Sequence, residues 1–259
     1  MGDETDARKL RDKTMTEITI CGSSSQANGY LLKSGDQILV LELGCKFMDY
    51  VQHLNDGGLK NVAACVCSHR IGHTDHLNPS TAKEFVRRGI QVFAHEEVIK
   101  EADLNGFSPL LSHFPNKVGG FIIQTFEAPH NTPNYGFLIQ TPTNERILFL
   151  TDTTGTNLRF RDIDAILIEC NHDDSTLLDN LANHDVSMSH PEWHLGLEEC
   201  IRFCKANYSS SLKQIILIHM SHTNINEQHA LESVQDRVLF DNVAVAHKGD
   251  IFKIDNDDF

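Results

Sequence analysis

The residues best suited to chemistry lie in one histidine-rich run, HRIGHTDH, at residues 69–76. Four of its side chains can bind a divalent metal ion: His69, His73, Asp75 and His76. Zinc binds imidazole and carboxylate ligands, and a site for two ions needs two ligand sets. A single turn cannot supply both sets. The run therefore predicts one part of a metal centre whose other ligands come from elsewhere in the chain.

The remaining ligands are expected where apolar runs end in an ionisable residue. Three such residues are His130 in EAPHNTPNYG, Asp152 in LFLTDT and His219 in ILIHMSH. Taken one at a time, such a histidine is more often a hydrogen-bonded structural residue, and such an aspartate a turn former. Because all three follow the histidine-rich run at the ends of predicted strands, together they favour a metal centre.

The elements that must position these residues alternate between strands and helices. Strands are predicted at residues 18–21, 29–33, 37–43, 61–68, 91–95, 120–128, 134–141, 146–153, 164–173, 214–222 and 242–247. Helices are predicted at residues 47–56, 79–88, 191–207 and 227–237, the second capped by Ser80 or Thr81. A Gly-, Pro- and Asn-rich loop is expected at residues 105–120. The order indicates an α/β domain at residues 15–255, with a solvated arm at 1–14 and a tail tip at 256–259.

Composition limits the class of protein and its partners. The chain has 259 residues, 40% of them hydrophobic, which is enough for one domain with a sizeable core. It has no apolar run of the roughly 18 residues that a membrane span requires, and its N-terminus is too charged for a secretory signal. Its seven cysteines form no CxxC pair, as in reduced proteins. We therefore expect a cytoplasmic protein without a membrane partner.

The formal net charge of −14 argues against a broad cationic track for nucleic acid, because such tracks neutralise many phosphates with Lys and Arg. The best basic clusters are Lys83, Arg87 and Arg88 on one predicted helix, and Arg159 and Arg161 in NLRFRD. Binding of a long duplex would rest on few phosphate contacts.

With the metal motif in place, the whole pattern resembles the metallo-β-lactamase superfamily, from about Ile18 to Ile254. The phrases GSSSQANGYLL, APHNTPNYGFLI, FLTDT, LIECNHD and LIHMSHTNIN resemble its YycJ/WalJ-like exonuclease branch. RNase Z and the phage anti-Pycsar cyclic-nucleotide phosphodiesterases are related branches. The resemblance implies an α/β fold, a four-layer αββα sandwich with a metal pair at the edges of its sheets.

The resemblance also implies a ligand set for two divalent ions, zinc in the first instance and manganese as the alternative. One ion would be held by His69, His73 and His130, the other by Asp75, His76 and His219, with Asp152 bridging. The family pattern is H-x-H-x-D-H, whereas this chain has Ile71 two residues before His73, so that two residues are inserted after His69. We expect a bulged loop that keeps His69 as a ligand.

The activity implied is hydrolysis of a phosphodiester by a hydroxide that the two metals activate. Asp75 would orient it, and His194 in EWHLGLEE would protonate the leaving group, with His190 as the rival. His172 is a candidate for contact with substrate or for support of the metal ligands.

We consider three functions for the protein. The first is an exonuclease-like hydrolase of nucleic acid, the second a phosphodiesterase of cyclic nucleotides, and the third a metal-poor binding protein whose inserted loop has disabled the site. A homodimer stays open. The acidic C-terminus ending in Phe259 resembles the tail tips of bacterial single-stranded-DNA-binding proteins, which implies docking into a protein partner.

Overall fold

A computed structural model of the protein describes residues 15–54, 58–69, 74–102, 106–182 and 191–254. The predicted arm at 1–14 and the tail tip at 256–259 lie outside the described residues, as do His73 and His190.

The described strands form two sheets of seven. The first sheet has the order β14-β1-β2-β3-β4-β5-β6, with β1 Thr16–Ser24, β2 Ala27–Ser34, β3 Gln37–Leu41, β4 Val62–Val66, β5 Val92–Ala94, β6 Phe107–Pro109 and β14 Ile251–Ile254. The second has the order β13-β12-β11-β10-β9-β8-β7, with β7 Asn116–Val118, β8 Phe121–Glu127, β9 Tyr135–Gln140, β10 Arg146–Leu150, β11 Ala165–Glu169, β12 Gln214–Ile218 and β13 Val243–Val245. Each sheet joins an antiparallel hairpin region to a parallel region.

Helices cover the outer faces of both sheets. They are α1 Phe47–Val51, α2 Pro79–Arg87, α3 Glu96–Ala102, α4 Asp174–Ala182, α5 Leu197–Ala206 and α6 Glu227–Val238. One apolar core lies between the sheets, where Ile20 and Leu41 of the first meet Phe149 and Ile216 of the second. The outer cores place α1 and α2 on the first sheet, and α5 and α6 on the second. These layers confirm the predicted αββα sandwich.

Several predicted boundaries are wrong, each for a local reason. The cap of α2 is Asn78 rather than Ser80 or Thr81, because its side-chain oxygen accepts from the backbone N–H groups of both residues and Pro79 opens the helix. The helix predicted at 191–207 is interrupted. A 3-10 turn at Pro191–Trp193 precedes α5. The helix is not continuous because Leu195 N–H donates to Glu169 Oε2 and Leu197 N–H donates to the His172 carbonyl, rather than to carbonyls of the preceding turn.

Short edge strands were also missed. The predicted loop at 105–120 contains β6 and β7, and the chain continues beyond the predicted last strand into β14, which pairs antiparallel with β1. Strands of three or four residues carry too little alternation to be read from sequence. Within the ranges that the structure describes, no helix has the length and apolarity needed to cross a membrane. All seven cysteines are buried free thiols.

Candidate metal centre

The first-sheet part of the site is the turn that follows β4. Its backbone lies against the first hairpin, because Asn28 N–H donates to the Asp75 carbonyl and Leu43 N–H to the His76 carbonyl, both at 2.7 Å. A Cβ on Gly44 would lie 1.4 Å from the backbone carbonyl oxygen of Asp75, so only glycine allows this close approach of the two backbones. The turn therefore presents Asp75 and His76 at one fixed place on the sheet edge.

The second-sheet part is built from single residues after the strands. His130 follows β8, Asp152 follows β10 and His219 follows β12. Asp152 and His219 have left-handed backbones, with φ of 49° and 52°. Asn134 Nδ2 donates to the Asp152 carbonyl at 2.6 Å, and Asn171 Nδ2 to the His219 carbonyl at 3.1 Å. These amides hold two backbone conformations that L-residues adopt at a cost.

Asp152 is the centre of the arrangement. Its Oδ2 lies 2.7 Å from His76 Nε2, and its Oδ1 lies 3.4 Å from His219 Nε2. Its carboxylate also belongs to a group with His69 and His130 in which all ligand atoms lie within 4.8 Å of one another. The rings of His69 and His76 have centroids 4.5 Å apart. One buried carboxylate thus contacts histidines from both sheets.

Three groups of potential ligand atoms occur among the described residues: His69, His130 and Asp152; Asp75, His76 and His219; and Asp152, Glu169, His194 and His219. The first two contain the described members of the predicted ligand sets and are the two candidate ligand groups. Among the described residues, no lysine or arginine forms an ion pair with Asp75 or Asp152, whose partners are histidines. Buried carboxylates need a counter-charge, and imidazole with carboxylate is a zinc-binding set. The residues present therefore fit a pair of divalent cations.

The charges of the site shift two pKa values in opposite directions. Burial by itself lowers the pKa of His76, but the nearby carboxylates, Asp152 foremost, raise it well above its ordinary value. Burial raises the pKa of Asp152, but His219 and His76 lower it well below the usual range of an aspartate. The site thus favours negative carboxylates with positive charge between them.

Two buried acids that the sequence prediction did not assign support the histidines. Glu42 Oε2 lies 3.3 Å from His76 Nδ1, and Glu42 Oε1 accepts from Ser68 N–H at 3.0 Å. Glu169 Oε1 lies 2.6 Å from His194 Nδ1, while its Oε2 accepts from backbone N–H groups. Both acids end apolar strand runs, in LVLELG and AILIEC, and this is the signal that could have identified them.

His194 joins the site from the loop before α5. Its Nδ1 also lies 3.2 Å from Asp152 Oδ1. Burial lowers the pKa of His194, but Glu169 and Asp152 outweigh that effect and raise it to about 11. His130 Nδ1 lies 3.0 Å from the Trp193 carbonyl in the same loop. This loop therefore places a protonated imidazole beside the candidate ligands.

His172 lies apart from the groups of ligand atoms found among the described residues. It is buried against Gly196, where a Cβ would lie 2.9 Å from His172 Nε2, and its carbonyl accepts from Leu197 N–H. Burial lowers its pKa. Its Nε2 also lies 3.8 Å from Asp174 Oδ1, and its role at the site stays a prediction. The rival proton donor, His190, and the predicted ligand His73 lie outside the described residues, so their roles stay predictions.

Several solved structures are similar to the chain, whereas no curated protein matches it by sequence. Among solved structures, the chain is similar to the metallo-beta-lactamase fold protein YhfI from Bacillus subtilis, with 15% identity, a TM-score of 0.68, and coverage of 92% of this chain and 99% of that one. Zn²⁺-bound PqqB from Methylobacterium extorquens has 15% identity and a TM-score of 0.67, with coverage of 91% and 99%.

The short form of human tRNase Z has 13% identity and a TM-score of 0.62, with coverage of 92% of this chain and 99% of that one. The profile of the beta-lactamase superfamily domain matches residues 49–220. The YycJ/WalJ-like branch stays a prediction. The chain belongs to the beta-lactamase superfamily domain family and has the metallo-β-lactamase fold that the sequence predicted, a fold of metal-dependent hydrolases.

Proposed function

We propose that the protein is a metal-dependent phosphodiesterase with a dinuclear centre. The observation that carries the proposal is Asp152, whose carboxylate reaches both groups of potential ligands. One ion would be held by His69, His130 and Asp152, the other by Asp75, His76 and His219, with zinc or manganese as the metal. A shared carboxylate is what two neighbouring ions require.

The protein's own side chains supply the remaining chemistry. Bound divalent ions would contribute Lewis acidity and a nucleophilic water near neutral pH. Asp75 would orient that water. His194, held by Glu169 through Nδ1, would donate a proton from its other ring nitrogen to the leaving alkoxide. Glu169 and Asp152 raise the pKa of His194, which favours the imidazolium, the form that can donate a proton.

The arrangement of basic side chains favours a compact substrate such as a cyclic nucleotide. Arg87 and Arg88 of α2 both pair with Glu84, and Arg237 pairs with Glu198. These arginines already have carboxylate partners on the surface, and the chain's net charge of −14 disfavours a long polyanion. The likeness to a tRNase Z keeps a nucleic-acid end as the second candidate. Buried free thiols agree with the cytoplasmic location that we propose.

The test begins with metal content and hydrolysis. We expect two zinc or manganese ions per chain by elemental analysis, and metal-dependent cleavage of bis(p-nitrophenyl) phosphate. His69→Ala should lose metal and activity, whereas His229→Ala, which removes an exposed imidazole of α6, should keep both. Less than one ion per chain would favour the metal-poor binding protein instead.

Salt dependence then separates the two substrate classes. Cleavage of a 3′,5′-cyclic nucleotide should depend weakly on salt, because one phosphate is bound. Affinity for single-stranded DNA should fall steeply with salt if nucleic acid is the substrate. Absence of cleavage of either substrate by the metal-loaded protein would contradict the proposed function.

A further inference from the structure

Asn28, at the start of β2, is fully buried and joins parts of the site that are far apart in sequence. Its backbone N–H donates to the Asp75 carbonyl at 2.7 Å, and its carbonyl accepts from Gly44 N–H at 2.9 Å. The N–H of Asn28 therefore holds the turn that carries Asp75, and its carbonyl holds the segment after β3, where Gly44 packs against that turn. These backbone hydrogen bonds fix the position of Asn28 beside the turn without any contribution from its side chain.

The side-chain amide faces the first-sheet ligands with its nitrogen. Nδ2 donates to the Ser24 carbonyl at 2.8 Å and to Asp75 Oδ2 at 3.4 Å. Both partners are acceptors, so the NH₂ end of the amide must point toward them. The same nitrogen lies 3.0 Å from His76 Nε2. The amide nitrogen thus borders the ligand atoms of two consecutive residues in the turn.

The amide oxygen faces the second sheet. Oδ1 lies 3.1 Å from His219 Nδ1 and also accepts from Tyr30 Oη at 3.3 Å. Acceptance from Nδ1–H leaves the lone pair of His219 on Nε2, the nitrogen 3.4 Å from Asp152 Oδ1. His219 N–H in turn donates to Ser23 Oγ of the same hairpin at 2.9 Å. The hairpin therefore sets both the backbone and the tautomer of His219.

We propose that Asn28 is the positioning residue of the half-site formed by Asp75, His76 and His219, aligning ligands from both sheets through one amide. The inference rests on the proposed metal centre. An amide is suited to this place because it donates at one end and accepts at the other without adding charge. A hydrophobic side chain would leave Asp75 and His219 without these bonds. Hydrogen bonds behind metal ligands tune affinity by orienting the ligands.

The experiment compares metal affinities of purified protein that has been stripped of metal and reloaded. Asn28→Ala and Asn28→Leu remove both ends of the amide, and Leu keeps most of its volume. The matched control is Asn207→Ala, since Asn207 is a buried asparagine whose side chain, among the described residues, bonds to Phe160 N–H and the Phe203 carbonyl, both away from the candidate ligands. Zinc is titrated against a chromogenic chelator, and cobalt absorption reports the geometry of each ion.

Both Asn28 variants should bind one of the two ions about 10- to 100-fold more weakly and leave the other unchanged. The cobalt absorption of the weakened ion should change, and Asn207→Ala should behave as wild type. Unchanged affinities in a folded Asn28 variant would overturn the inference. Equal weakening of both ions, or the same loss in Asn207→Ala, would show a general structural role and would also overturn it. A wild-type protein that binds no metal contradicts the proposed function itself.

Discussion

The two ends of strand β10 each carry a buried acid: Glu145 precedes the strand and Asp152 follows it. Around Glu145, hydroxyls supply the partners. Thr16 Oγ1 donates to Glu145 Oε2 at 2.9 Å and Thr143 Oγ1 at 2.5 Å, and Thr141 bonds to the same oxygen. Thr16 belongs to β1 of the first sheet, and Thr141 and Thr143 lie in the turn between β9 and β10 of the second. These hydroxyls connect the two sheets through one carboxylate.

Asp152 is surrounded by imidazoles instead. Its oxygens lie near the ring nitrogens of His76, His194 and His219, and its backbone has φ of 49°. At the far end of the sandwich, the left-handed conformation falls on Asn144, a residue type that tolerates it. A buried carboxylate thus bonds to hydroxyls that connect the two sheets at one end of β10, and lies among candidate metal ligands at the other. Asp162 and Leu239, which precede β11 and β13, also have positive φ, so the imidazoles around the Asp152 carboxylate are what distinguish the Asp152 end.

The largest effect is expected from Asp152→Asn. Removal of the shared negative charge should abolish binding of at least one ion and reduce hydrolysis to background, beyond the 10²- to about 10⁴-fold typical of general acid–base groups. Asparagine accepts the left-handed backbone, so the metal-free variant should stay folded, with a lower free energy of unfolding because the ion pairs of Asp152 with His76 and His194 are lost. Elemental analysis measures the metal content, and thermal unfolding measures the stability of the metal-free protein. If Asp152→Asn retains both ions, Asp152 is not the shared metal ligand, and the contrast with Glu145 at the other end of β10 fails.

The next largest effect is expected from His194→Ala. Loss of the proton donor should lower kcat about 10²-fold or more, because general acid catalysis typically contributes that much. Metal content should stay at the wild-type level, since His194 is assigned to the proton and not to the ions. Substrates with a good leaving group, such as p-nitrophenolate, should be affected less than cyclic nucleotides. Equal losses on both substrates would contradict the assignment.

Glu42→Gln should have a smaller effect that stays within the metal site. Glu42 lies behind His76 at 3.3 Å from Nδ1, and loss of its charge should weaken metal binding about 10-fold, at the low end for such supporting groups. The chelator titration measures the change. Wild-type affinity for both ions in this variant would show that Glu42 belongs with Glu145 as a purely structural acid.

The pH dependence of the metal-free protein sharpens the comparison further. The pKa of His194 is raised from 6.5 to about 11 in the folded protein, so its contribution to stability is fully present below pH 6.5 and is lost as pH rises toward 11. The free energy of unfolding should therefore fall across this range. In Glu169→Gln the decline should be shallower, because the first carboxylate that raises this pKa is gone. Chemical unfolding at several pH values tests it.

The smallest effect on the site is expected from Glu145→Gln at the opposite end. Disruption of its hydroxyl contacts should lower the free energy of unfolding by about 1–3 kcal/mol, the cost of poorly satisfied buried polar groups. Metal content and kcat/KM of the folded fraction should not change. A loss of metal in this variant would mean that the two ends are coupled and that the comparison fails.

Much of the fold and the positions of the ligands could be predicted from sequence. Continuous apolar runs such as RILFL and QIILI identified buried strands, and each was followed by the residue now found at the sheet edge, Asp152 or His219. Local pattern sufficed because a parallel strand ends where its apolar run ends. The cap of α2 and the break before α5 were missed, since contacts outside each segment decide them.

The sequence by itself determined the alternation of strands and helices and the order of candidate ligands, because periodicity and motif are local properties of the chain. The αββα class and the superfamily followed from the resemblance of that pattern to a known family. Only the tertiary structure joined Asn28 to His219, Glu42 to His76 and Glu169 to His194. Those pairs depend on how the two sheets stack and on strand register, which sets which side chain reaches across the edge. Acids and amides are common at strand ends, so their partners become visible only when both sheets are in place.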